Sequence, residues 1–203
     1  MRCKICGVSD LNTLNYITEH PFKPDMIGFI VNYPKSKRYI ELNKLKDLIR
    51  VNRNKISFVA VMVNPSEVFI KKLMKFKFDF FQLYDVSPAK TIKIKKKFKT
   101  KIITAITVKK KNDVKKYLLY KNISDILLFD SKGYEKSLSF NHELIKNVHA
   151  NSNIMLAGNI KYNDKLEKFV KIADIIDISG GLETSGKKDK NKINIFLKNV
   201  RKL

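Results

Sequence analysis

Short runs rich in β-branched and aromatic residues alternate along this chain with amphipathic stretches of about ten residues. The runs predict eight strands, over residues 2–6, 26–31, 57–63, 78–83, 101–107, 125–129, 153–156 and 175–178. Several are almost continuously apolar, which is how strands buried on both faces read. Between them the apolar positions fall at helical spacing: Leu11, Leu14 and Ile17; Leu42, Leu45, Leu48 and Ile49; Val114, Tyr117 and Leu118; Leu166, Phe169 and Val170; Ile193, Phe196 and Val200. Ser9-Asp10, Asn64-Pro65-Ser66-Glu67 and Asn112-Asp113 supply cap or first-turn residues and mark helix starts. The stretch 91–98 alternates Ile and Lys and suits a strand as well as a helix.

Eight strand–helix units at roughly 25 residues each predict a compact (β/α)8 TIM barrel of the α/β class. A doubly wound open sheet is the alternative. Counting to eight favours the barrel, because closure removes both edge strands. No linker rich in Gly, Pro or Ser and no break in composition interrupts the chain, so residues 1–203 are expected to form one domain.

Composition narrows the picture. Apolar residues make up 44 %, enough for a full core and too many for a disordered basic tail. The longest apolar runs, such as Phe58 to Val63, are far too short to span a bilayer. With no signal-like stretch before Asp10, a cytoplasmic protein without a membrane partner is expected. Two cysteines cannot staple a domain of this size and read as reduced thiols. The formal net charge is +23, yet only five of the 42 basic residues are arginine, and the lysines are dispersed. Such a surface has two readings: a solvated lysine coat, or a field for an anionic partner, either nucleic acid or a phosphorylated metabolite.

In a parallel α/β fold, ligands bind at the carboxyl ends of the strands. That rule selects Cys6, which ends the first strand before Gly7; Asp130, directly after the sixth; Gly158, after the seventh; and Ser179 and Gly180, after the eighth. Glycines after the last two strands are the usual phosphate cradle of a barrel, and equally the makings of two tight loops. Cys3 and Cys6 form a CxxC, but His20, His142 and His149 are scattered, so no metal site is expected. Three apart in one strand, the two sulfurs belong on opposite faces, and spacing alone favours two buried thiols.

Taken in order, these motifs resemble those of phosphoribosylanthranilate isomerase, a barrel enzyme of tryptophan biosynthesis. The resemblance runs through Lys4-Ile5-Cys6-Gly7, Ile27-Gly28-Phe29-Ile30 with Ser36-Lys37-Arg38, Val59-Ala60-Val61-Met62-Val63-Asn64 and Asp79-Phe80-Phe81-Gln82-Leu83. It continues in Leu127-Leu128-Phe129-Asp130, Leu156-Ala157-Gly158, Asp177-Ile178-Ser179-Gly180-Gly181-Leu182-Glu183 and Gly186-Lys187-Lys188-Asp189. It implies an Amadori rearrangement of an anionic sugar phosphate with no cofactor. Cys6 is the implied base, Asp130 the acid, Arg38 the clamp on the anthranilate carboxylate, and Gly158, Ser179 and Gly180 the phosphate seat. Nearby positive charge is expected to lower the thiol's pKa, and partial burial to raise that of Asp130. A monomer and a homodimer both fit.

The chain departs from the family pattern at Val8-Ser9, at Tyr84-Asp85 in place of His-Gly, at the loop 131–136, and at Asn159 in place of a second glycine. Two other functions are open to the sequence: another phosphate-binding barrel acting on a related sugar phosphate, and a basic nucleic-acid-binding protein. The aromatic residues fall mostly on strands or apolar helix faces, where core packing is their default role, and this speaks against nucleic acid.

Overall fold

Alternation within the first strand sets the architecture. In β1 (Arg2–Cys6), Cys3 and Ile5 pack outward with the apolar helix faces, while Cys6 packs inward with Met26, Val59 and Leu128. The same period of two repeats in β2 (Met26–Ile30), β3 (Ser57–Val63), β4 (Phe80–Tyr84), β5 (Lys101–Val108), β6 (Ile126–Ser131), β7 (Asn153–Leu156) and β8 (Ile175–Ile178). In this computed structural model, which describes residues 1–131 and 140–203, all eight strands run parallel and close into a barrel, with β8 pairing back onto β1. Two apolar cores follow: one fills the barrel, the other lies between barrel and helices.

The connecting helices are α1 (Leu11–Glu19), α2 (Leu42–Ile49), α3 (Glu67–Leu73), α4 (Pro88–Phe98), α5 (Lys111–Val114) and α6 (Lys190–Arg201). Asp10, Ser66, Ser87 and Asp189 cap the backbone N–H groups of α1, α3, α4 and α6. The ambiguous stretch 91–98 is therefore helical, started by Ser87 and Pro88. Asp113 caps from the first turn of α5, accepting the N–H groups of Lys109 and Lys110. The stripes Val114–Leu118 and Leu166–Val170 do not become full α-helices. The short α5 continues as a 3-10 turn, and Leu166–Phe169 is a 3-10 turn alone, leaving Leu118 and Val170 half exposed. No helix among the described residues is long and apolar enough to cross a membrane.

The amino end of the barrel carries a regular device. Asp25, Asp79, Asp125 and Asp174 each precede or open an even-numbered strand. Their carboxylates accept the backbone N–H of Cys3, Phe58, Ile102 and Ile154 on the preceding odd strand, at 2.7–2.8 Å. Each also donates its own N–H to the carbonyl of that same residue. Every other strand pair is thus pinned in register by a charge-assisted bond. This explains why β4 starts at Phe80 and β6 at Ile126, one or two residues later than the apolar runs suggest.

The seam where the barrel closes holds a buried ion pair. Lys4 and Asp177 face each other across β1 and β8, and the ammonium sits 2.9 and 3.0 Å from the two carboxylate oxygens. Lys4 is completely buried. Burial alone would discharge it; Asp177, aided by Cys6, offsets burial and leaves its pKa above the ordinary lysine value. Gly28 on β2 makes the room, since a Cβ there would lie 3.0 Å from both the Lys4 Nζ and the Cys6 Sγ. Removing one partner leaves the other charge buried and alone. Asp177→Asn is expected to lower unfolding stability by about 3–5 kcal/mol in urea titrations, and Lys4→Met with Asp177→Leu to recover most of it. Equal stability of the single and double variants would contradict this role.

Candidate active site

Strand ends and the loops after them form a cavity of about 520 Å³ at the carboxyl end of the barrel. Cys6, Arg38, Asp130, Gly158, Ser179 and Gly180, the residues singled out from sequence, all line it. Cys3 is on the other face of β1 and packs in the outer core, so the CxxC does not act as a pair.

Cys6 is buried at the floor beside Lys4, both lying against the same point of Gly28. The expectation that positive charge would leave this thiol more acidic is corrected. Burial raises its pKa most strongly, and Lys4 and Lys188 pull it down without overcoming burial. Asp130 faces the bowl from the last turn of β6, inside the strand rather than after it. Burial pushes its carboxyl up to about 6, against the stabilising hydrogen bonds of Tyr84 and of the Ser131 backbone.

Arg38 enters over Gly7, which has φ +73°; a Cβ there would collide with the Arg38 Cδ. Its Nε and Nη2 grip Glu183, the latter at 2.7 Å, and Lys188 donates to the same carboxylate at 2.8 Å. Burial opposes the charge on Glu183, yet these two cations hold its pKa below the ordinary glutamate value. A short hairpin of Glu183–Thr184 and Lys187–Lys188 carries both residues.

The glycine turns are built against each other and against β1. Ser179 Oγ donates to the Cys6 carbonyl at 3.0 Å, and Lys188 donates to the Ser179 carbonyl at 3.0 Å. Any Cβ on Gly181 would collide with the Ile160 carbonyl oxygen. His142 Nε2 donates to the Gly158 carbonyl at 3.0 Å, with its ring packed edge-on against Phe140 and Phe169. Asn159 and Asp85, which replace family glycines, keep φ near +53°. The altered loop after Asp130 lies, beyond Ser131, outside the described residues.

Sequence reasoning missed Lys4, Tyr84, Asp177, Glu183 and Lys188. For Asp177 a signal existed: it is the one charged residue of an otherwise apolar strand; Lys4 shares β1 with a second charge, Arg2, and stands out less.

The family model described as N-(5'phosphoribosyl)anthranilate (PRA) isomerase matches residues 3–199. The N-(5'-phosphoribosyl)anthranilate isomerase of Thermoanaerobacter pseudethanolicus is 33 % identical over 208 residues, covering 99 % of this chain and 98 % of that protein. The crystal structure of phosphoribosyl anthranilate isomerase from Thermotoga maritima matches over 100 % of both chains with a TM-score of 0.87 at 25 % identity. A phosphoribosyl anthranilate isomerase structure in complex with reduced 1-(o-carboxyphenylamino)-1-deoxyribulose 5-phosphate matches with a TM-score of 0.85, also at 25 % identity and over 100 % of both chains. Sequence and backbone therefore agree along the whole barrel, and the chain belongs to the N-(5'-phosphoribosyl)anthranilate isomerase family.

Proposed function

We propose that this isomerase of tryptophan biosynthesis converts N-(5-phosphoribosyl)anthranilate to 1-(2-carboxyphenylamino)-1-deoxyribulose 5-phosphate with Cys6 as base and Asp130 as acid. Asp130 gives its proton to the ring oxygen as the C1–O bond breaks and the nitrogen lone pair forms the C1=N bond. The Cys6 thiolate removes the C2 proton; the C2–H electrons form C1=C2 and the C=N electrons return to nitrogen. The enol O–H then gives up its proton as C1 takes one, the O–H electrons forming C2=O and the C1=C2 electrons the new C1–H bond. With Cys6 returning the proton it took and the Asp130 carboxylate regaining one, atoms and charge balance without an added reactant. The observation that carries this reading is one cavity lined by a sulfur from β1 and a carboxyl from β6, with the Lys4 ammonium against the sulfur. General acid and base groups are typically worth about 100- to 10,000-fold each.

Gly158, Ser179 and Gly180 hold the phosphate through the two turns that Gly181 and His142 lock together. Arg38 receives the anthranilate carboxylate. Glu183 engages its Nε and Nη2, so the carboxylate uses the Nη1 edge of the fork.

Cys6→Ala and Asp130→Asn are each expected to lose at least about 100-fold in kcat with unchanged circular dichroism; wild-type turnover by Cys6→Ala would end the base assignment. For Arg38→Ala, KM for the substrate made in situ rises strongly while kcat changes little, and no change in either would remove the clamp.

The pH dependence follows from the two shifts. With Asp130 near 6 and the thiol raised, the resting pair at neutral pH is carboxylate and thiol, and the reactive pair is its minor proton tautomer. Below about pH 6 both groups are protonated and activity falls. Above that the tautomer fraction is constant until the thiol ionises. Activity should therefore hold level from about pH 6.5 to 8 in a fluorescence assay, a window of about one and a half units; a steady fall across that window would contradict the ordering.

A further inference from the structure

We infer that Tyr84 is a positioning residue that holds the Asp130 carboxylate once the acid has released its proton, with Gln82 fixing the direction of the phenolic hydrogen. The inference rests on the reading of Asp130 as the acid.

Direction comes from the donors. Gln82 Nε2 donates to the Tyr84 Oη at 3.2 Å, which leaves the phenol's single hydrogen for Asp130 Oδ2, at 2.8 Å. The other carboxylate oxygen takes the Ser131 backbone N–H, also at 2.8 Å. Both oxygens of Asp130 thus have donors suited to the ionised form. Tyr84 stays a donor at every working pH, because burial and then the neighbouring carboxylate push its pKa well above the usual phenol value.

Gln82 shows that packing alone does not explain this chain. Its side chain is wholly buried inside the barrel, and its Oε1 is without a hydrogen-bond partner among the described residues. An apolar residue would fill that position at lower cost. The amide is accounted for by the hydrogen it gives to Tyr84. The other charged groups acting on Asp130 are Lys4 on β1 and Asp177 on β8, while Cys6 on β1 acts on Tyr84. Lys4 spends its hydrogen bonds on Asp177, and Asp177 acts in the opposite sense to Tyr84, disfavouring the Asp130 carboxylate.

The test titrates Asp130 directly, by carbon-13 NMR of the full-length protein carrying labelled aspartate carboxyls, with the resonance assigned by its loss in Asp130→Asn. Tyr84→Phe keeps the ring and removes the donor; the Asp130 midpoint should rise by about one pH unit or more. Site-specific 3,5-difluorotyrosine at position 84 makes a stronger donor and should move the midpoint down. Opposite shifts in the two proteins support the inference, since a space-filling ring moves neither. If Tyr84→Phe does not fold, the difluorotyrosine protein decides alone: a lowered midpoint supports the inference and an unmoved one overturns it. An unmoved midpoint in a folded Tyr84→Phe also overturns it, whatever Asp130→Asn does to turnover. Full turnover in Asp130→Asn would instead sink the acid reading, and with it the catalytic meaning of a measured shift.

Discussion

A lysine ammonium cut off from water has to be matched by a negative charge, and the place where it is matched constrains everything around it. Lys4 meets Asp177 across the pair of strands that closes the barrel. One residue of slip between β1 and β8 would send every side chain of one strand to the opposite face, separating the two charges and turning Cys6 away from the cavity. The pair therefore couples closure of the fold to placement of the sulfur. Its worth lies in that specificity more than in net stability, since a buried ion pair barely repays its desolvation.

The same dry interior that makes this pairing necessary acts on both groups proposed to react. Burial raises the carboxyl of Asp130 and the thiol of Cys6 alike, in one case helping the assigned role and in the other opposing it. Lys4 and Lys188 temper the thiol, while Tyr84 and the Ser131 amide temper the acid. Each of the two is thus set by a contest between desolvation and particular neighbours. Substitutions that leave the barrel intact can still shift the proton balance of the site.

The strands were legible because sheets buried on both faces need near-continuous apolar runs, and these runs stand out at Ser57–Val63 and Ile175–Ile178. Their starts were less so: Asp79 and Asp125 look like strand or loop residues until the register shows them reaching the neighbouring strand's N–H groups. The stripes Val114–Leu118 and Leu166–Val170 fall largely on short 3-10 turns, Lys115–Leu119 and Leu166–Phe169, whose three-residue period mimics a helical stripe. Cys6 and Asp130 could be picked out because both sit at or near strand ends. Glu183 and Lys188 could not, since a hairpin with no apolar pattern brings them under Arg38. The thiol's direction of shift was misjudged because sequence reveals nearby lysines but not how dry the sulfur is.

The most direct measurement is a crystal structure of this chain with the reduced product analogue that a family relative binds. The account predicts Cys6 Sγ within about 3–4 Å of the C2 position and the Asp130 carboxyl within hydrogen-bond reach of the oxygen that leaves C1 when the ring opens. It also predicts the phosphate seated on Gly158, Ser179 and Gly180. An analogue bound with its sugar carbons out of reach of Cys6, or with its phosphate seated elsewhere, would contradict it.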